Sequence, residues 1–183
     1  PSQVTPQELY DFIETELTES LKGLPTRTTQ FGRFDKGLAY TILMKYYMHE
    51  KNWAKAEECG RELLKAEYGY GLMDRYADIF TLENEGNKEI IFACTEERGT
   101  NLQLWHDHAL PGNYPTKNAS IQKWDGYKVP WPFYRTFEEG DDRLSVLVGE
   151  YVGTDGVLFN EESDIAKHGN LYSGAVPVKY GED

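Results

Sequence analysis

The stretch from Tyr46 to Leu64 constrains the fold of this chain more than any other. Tyr47, Asn52, Trp53, Ala56 and Leu63 stand at the offsets of two antiparallel helices joined by a tight turn. In such a pair an aromatic on the first helix packs beside a small residue on the second, which lets the axes approach closely. Ala56 is that small residue, and Asn52 is placed to cap the second helix, which Trp53 opens. The spacing predicts one helix from about Asp35 to Glu50, with Leu38, Ala39, Ile42, Leu43, Tyr46 and Tyr47 on its buried side. Its partner is predicted from Trp53 to Glu67, with Leu43, Tyr47, Trp53, Ala56 and Leu63 buried together in the seam.

This tetratricopeptide-like unit, residues 35–67, belongs to a helical part spanning residues 6–80. Thr5-Pro6-Gln7-Glu8 has the form of a capping box with proline at the first helical position. Leu9, Phe12, Ile13, Leu17 and Leu21 follow as one apolar stripe, which Gly23 and Pro25 end. Gly69 suits a left-handed cap, and Tyr76–Phe80 reads as a short helical turn.

From residue 81 to 183 the chain is loop-rich. Glu89–Cys94 reads as a short buried strand, Arg143–Val152 as another, and Ala175–Tyr180 as an apolar extended piece. Pro132–Phe137 starts a short helix closed by Glu138-Glu139-Gly140. No helical period appears between Arg98 and Val129, yet the aromatic content argues for an ordered loop region, since disordered chains are poor in aromatics. The expected fold class is mainly α: a tetratricopeptide-like helical repeat with a loop-rich region and a few short strands. Residues 1–183 are expected to be one domain fragment of a larger fold, because such units normally stack in series. In that case Val176 and Val178 find neighbours beyond these residues.

The formal net charge of −12 argues against nucleic acid, whose binding needs clustered Lys and Arg. No apolar run approaches the about 18 residues that read as a spanning helix. The two cysteines, Cys59 and Cys94, set no disulfide framework and are read as small buried hydrophobes. Aromatic residues make up 14% of the chain, with 13 Tyr and 4 Trp, enough to supply stacking surfaces as well as core.

Several segments recur in a recognisable order. Gly32-Arg33-Phe34-Asp35-Lys36-Gly37-Leu38-Ala39 leads into a helix, and Trp53-Ala54-Lys55-Ala56 opens its partner. Tyr68-Gly69-Tyr70, Tyr76-Ala77-Asp78-Ile79-Phe80 and Asn87-Lys88-Glu89-Ile90-Ile91-Phe92 follow. Trp124-Asp125-Gly126-Tyr127 and Phe137-Glu138-Glu139-Gly140-Asp141-Asp142-Arg143 complete the series. Over about residues 6–180 this order resembles the SusD/RagB family of surface nutrient-binding outer-membrane lipoproteins of Bacteroidetes. The resemblance implies a helical scaffold under a loop-rich face, at the cell surface, with no catalytic activity. It implies an oligosaccharide ligand, or a peptide as in the RagB branch, and a SusC-like TonB-dependent transporter as partner. Attachment to the outer membrane would come only through a lipid anchor outside this segment.

The candidate ligand-binding residues are Arg98, Asn101, Trp105, Asp107, Tyr114, Trp124, Tyr127 and Trp131, with Gln103 and Asn113 close by in sequence. Pyranose rings stack their apolar faces on flat aromatics, and their hydroxyls need amide, carboxylate or guanidinium partners. The same aromatics also suit packing beneath long loops, so the expectation is that at least one of Trp105, Tyr114, Trp124 and Trp131 faces solvent. Trp124-Asp125-Gly126-Tyr127 and Asp141-Asp142-Arg143 are read as partly structural, the latter as a cap or ion pair.

An extended His106-x-His108 would place both rings on one side, but no third ligand has suitable spacing for a metal. Glu138, Glu139, Glu161 and Glu162 fall in charge runs that read as solvated faces rather than a glycosidase pair. No nucleophile elbow or Gly-rich phosphate loop is present, so neither an enzyme nor a cofactor is expected. A helical-repeat adaptor that binds another protein is the reading from a different class.

Overall fold

The structure, a computed structural model, describes residues 3–96 and 104–180. The chain divides into two compact units, Pro1–Leu72 with Gly86–Thr95, and Met73–Glu85 with Glu96–Asp183.

The first unit is helical. Helix α1 (Pro6–Ser20) starts on the expected capping box: Glu8 N–H donates to Thr5 Oγ1 at 3.3 Å, and Thr5 N–H donates to Glu8 Oε2 at 2.8 Å. Helix α2 (Lys36–His49) is capped by the buried Asp35, whose carboxylate accepts from Leu38 N–H at 3.0 Å and Thr28 N–H at 3.1 Å. Helix α3 (Trp53–Leu63) follows a turn in which Lys51 is left-handed and Asn52 caps as expected. Leu43, Tyr47, Ala56 and Cys59 form the buried seam between α2 and α3.

Helix α1 is tied to this pair by packing and by one polar knot. Leu17 and Leu21 pack on the seam, while Glu14 accepts from Tyr47 Oη at 2.8 Å and from Lys55 Nζ at 2.5 Å. The Lys55 bond, with Tyr47 adding to it, holds the Glu14 carboxyl below its ordinary range. Past α3, a 3-10 turn (Ala66–Tyr68) ends on Gly69 at φ 66°, the predicted left-handed cap.

Several expectations for this unit are corrected. Trp53 is 62% exposed rather than in the seam, because side chains at the first helical position lean back off the helix end. Ile42 is exposed too, and so are Leu9 and Phe12 on α1, whose contacts to the pair run through Tyr10, Glu14, Leu17 and Leu21. Residues 89–94 form no strand: an apolar run alone does not supply a neighbouring strand with open hydrogen bonds. The segment is held instead by a turn (Ile90 N–H to the Asn87 carbonyl) and by Phe92 against Phe34, and Cys94 is exposed.

The second unit is built around short strands. 3-10 turns at Tyr76–Phe80, as expected, and Leu82–Asn84 open it; helix α4 (Trp105–Ala109) follows, then strand β1 (Val129–Pro130) running into helix α5 (Trp131–Tyr134). Strand β2 (Leu147–Val148), the hairpin strands β3 (Tyr151–Val152) and β4 (Leu158–Phe159), helix α6 (Glu161–His168) and strand β5 (Gly174–Pro177) follow. β5 is central in an antiparallel β1-β5-β2 sheet, pairing Val129 with Ala175 and Val148 with Val176. Leu110, Trp131, Phe159, Ala175 and Val176 make the core.

One buried carboxylate joins these pieces. Asp164 on α6 accepts from Trp131 Nε1 at 3.0 Å and Gly174 N–H at 2.7 Å, and lies 2.9 Å from His168 Nδ1. It thereby links α5, α6 and the start of β5, and its burial is tolerable only because its hydrogen bonds are made.

The sequence-based expectations for this unit also need correction. Helix α4 lies in the stretch expected to lack helix; five residues are too few to show a period. Residues 143–152 are not one strand but a 3-10 turn (Asp142–Val146) followed by β2 and β3. Asp141 caps that turn, and its ion pair with Arg143 lowers its carboxyl to about 2, the structural role expected of this motif. Val176 is fully buried between β1 and β2, so it finds its neighbours within the unit.

Replacing Ala56 by Leu should overpack the α2–α3 seam and cost about 1–3 kcal/mol in urea denaturation, and wild-type stability would contradict the packing described. Asp164→Ala should cost at least about 2 kcal/mol, since it leaves the Trp131 indole N–H and the Gly174 amide buried without an acceptor. Asp164→Asn, which keeps an acceptor, should cost less.

Candidate functional site

Trp124 is one of the large aromatics that the second unit exposes, with Tyr127, Phe133 and Tyr172. Trp124 is 51% exposed, and the residues on either side, Lys123 at φ 56° and Asp125 at φ 55°, are both left-handed. Such a conformation costs a non-glycine residue about 1–2 kcal/mol and persists only where surrounding bonds fix it.

Those bonds run to α4 and its C-cap. Gln122 N–H donates to the Asp107 carboxylate at 2.7 Å, and Trp124 N–H to the Asp107 carbonyl. Asp125 N–H donates to Leu110 O at 3.1 Å, and Gly126 and Tyr127 N–H both donate to His108 O, at 2.5 and 3.0 Å. The last carbonyls of a helix have no partner inside it, and in α4 those of Asp107 and His108 are taken up by the loop. Gly126 fits because a Cβ there would sit 3.2 Å from the His108 carbonyl oxygen.

The rings continue the same arrangement. Trp124 lies edge-on to His108, with centroids 4.7 Å apart, and His108 stacks on Tyr127 at 5.2 Å. Tyr127, itself exposed, packs at 5.3 Å on the half-buried Trp105, which meets Tyr180 edge-on at 5.7 Å. His106 Nε2 lies 2.9 Å from the Tyr180 carbonyl oxygen, fixing α4 from its other side.

The structure sorts the candidates. Trp105, Asp107, Trp124 and Tyr127 come together; Asp107 spends a carboxylate oxygen on the loop amide and so positions Trp124. Tyr114 is half-buried, edge-on to Tyr151 at 4.9 Å, and its carbonyl receives Lys123 Nζ at 2.8 Å. Trp131 is 3% exposed and belongs to the core, so it offers no stacking face; the indole N–H that a core tryptophan must satisfy goes to Asp164. Arg98, Asn101 and Gln103 lie outside the described residues.

His106 and His108 sit on a helix, not an extended segment, and two positions on a helix are about 200° apart. They face different partners, and no cluster of three metal-binding side chains occurs among the described residues. His108 as ring support, and the left-handed pair around Trp124, escaped the sequence analysis. Only Asp125, of a type that tolerates this conformation, and Gly126 beside it gave a signal.

The loop thus presents an exposed indole beside His108 and Tyr127, with Trp105 behind them. No protein-family model and no curated protein matches the sequence. Solved structures do resemble it. Surface glycan-binding protein A from Bacteroides thetaiotaomicron, in complex with laminarihexaose, is 20% identical with a TM-score of 0.70, over 98% of this chain and 43% of that one. A SusD superfamily protein from Bacteroides fragilis NCTC 9343 is 18% identical with a TM-score of 0.67, over 97% of this chain and 41% of that one. A SusD-like protein from the same organism is 24% identical with a TM-score of 0.59, over 76% of this chain and 28% of that one. The fold is the SusD-like fold, and the chain spans less than half the length of these proteins.

Removing the imidazole by His108→Ala should loosen Trp124 without unfolding the unit. Stronger acrylamide quenching of tryptophan fluorescence at unchanged far-ultraviolet circular dichroism is the expected result; unchanged quenching would show that His108 does not hold the indole.

Proposed function

We propose that this chain is part of a surface glycan-binding protein of the SusD/RagB type, with Trp124 as its stacking platform. The observation that supports this most is the exposed indole fixed between two left-handed residues and hung on α4. Local strain of this kind is costly, and it is a feature of sites where a side chain must be aimed. Tyr127 extends the platform, Trp105 backs it, and Asp107 sets the loop. Arg98 and Asn101, close to α4 in sequence, are proposed to supply polar partners for sugar hydroxyls.

On this reading the protein captures an oligosaccharide without turning it over and hands it to a SusC-like TonB-dependent transporter, held at the outer membrane by a lipid anchor. The family resemblance supports those further assignments, and the laminarihexaose complex of a structural neighbour supports a glycan as ligand.

Laminarihexaose is therefore the first ligand to test by calorimetry. Binding without cleavage products is expected, and Trp124→Ala should weaken it about tenfold or more through lost stacking and apolar burial, with the fold retained. An affinity unchanged in Trp124→Ala, hydrolysis of the hexaose, or binding of peptides in place of every glycan offered would contradict the proposal.

A further inference from the structure

Beneath the β3–β4 hairpin of the second unit lies a half-open cavity of about 270 Å³. Its aromatic side is Tyr151 stacked on Phe159, with centroids 4.7 Å apart and planes at 22°. Drug-sized ligands occupy pockets of about 300 Å³ and more, so the space suits one small ring rather than a chain of them.

The polar lining has two properties that narrow the ligand. First, its charges nearly cancel. Asp125, Asp155 and Asp164 face Lys128 and Lys167, with His168 beside them. Lys128 Nζ lies 2.7 Å from Asp125 Oδ1 and over the Phe159 ring. That contact satisfies ion-pair distance but not hydrogen-bond direction, and both atoms are sealed from solvent, so the pair neutralises itself below the surface. Asp164 is spent on Trp131, Gly174 and His168. Asp155 and Lys167 are of opposite sign, so with His168 neutral the lining carries a single net negative charge.

Second, what remains open is a mixture of donors and acceptors. Tyr151 Oη donates to Asn113 Oδ1 at 2.9 Å, and Asn113 Nδ2 donates to Asp155 Oδ2 at 3.0 Å. A primary amide has two N–H donors and two carbonyl lone pairs, so Asn113 keeps one of each beyond these bonds. Asp155 is held ionised below its ordinary range by the Val157 amide and then by Asn113, and it retains lone pairs. Gly153 permits this wall, since a Cβ there would collide with both Asn113 and Asp155.

We propose that this cavity is a second binding site, taking a single neutral, hydroxyl-rich ring of monosaccharide size beside the Tyr151–Phe159 stack. Hydroxyls both donate and accept, which matches Asn113 and Asp155, and a neutral ring suits a lining whose charges nearly cancel. The site does not rest on stacking at Trp124.

The test is a titration of the 15N-labelled protein with D-glucose, with D-glucosamine and D-glucuronate as charged comparators. Amides of Asn113, Asp155 and Val157 should shift with glucose, and the shifts should persist in Trp124→Ala, which separates this site from the platform. Asn113→Ala should weaken glucose about tenfold. Val157→Trp, a change at an exposed residue of the lining, should block the cavity in a protein that still folds. The absence of glucose-induced shifts at these amides would overturn the proposal. So would tighter binding of glucosamine or glucuronate than of glucose, or Val157→Trp leaving glucose binding unchanged.

Discussion

The hydrogen bonds from the loop Gln122–Tyr127 onto α4 and its C-cap are the interaction on which the candidate site depends. Two left-handed residues in a row of three would relax toward ordinary backbone if their neighbours were free. Amides of Gln122, Trp124, Asp125, Gly126 and Tyr127 are instead all committed to Asp107, His108 and Leu110. Net hydrogen bonds of about 0.5–1.5 kcal/mol each outweigh a strain of about 1–2 kcal/mol per left-handed residue. Trp124 is thus positioned by the backbone, while its indole stays open to solvent.

The loop stands on the core of the second unit, whose pieces Asp164 ties together. A carboxylate with no exposure is expensive unless paired, and here it gathers an indole N–H, a backbone amide and an imidazole at one point. Around it the short strands close a core of Leu110, Trp131, Phe159, Ala175 and Val176. Leu110 is the residue that accepts from Asp125 N–H, so the core and the presented loop share an anchor.

The helical hairpin was legible because long elements advertise themselves: Asn52 capping, Ala56 in the seam and Gly69 in the left-handed region all follow from local rules. The second unit was much less legible. Its strands are two to four residues long, too short for alternation to register, and α4 has barely more than one turn. Aromatic type alone could not separate Trp131, buried with its N–H on Asp164, from Trp124, exposed beside His108. That difference is set by tertiary partners distant in sequence, Asp164 for Trp131 and His108 for Trp124. Trp53 shows the converse: correctly placed at a helix start, it was assigned to the seam because the offset was read without the direction of its side chain.

The four tryptophans occupy four different settings: Trp53 exposed at a helix start, Trp105 packed on Tyr127, Trp124 exposed beside His108, and Trp131 in the core. Their indole N–H signals in a 15N correlation spectrum, assigned by single substitution and followed while laminarihexaose is added, test the proposed stacking role of Trp124 most directly. The Trp124 signal should move most, Trp105 less through Tyr127, and Trp53 and Trp131 should stay in place. A titration in which Trp53 moves and Trp124 does not would contradict the central claim, because Trp53 is the more exposed ring and lacks the aromatic backing on which the platform depends.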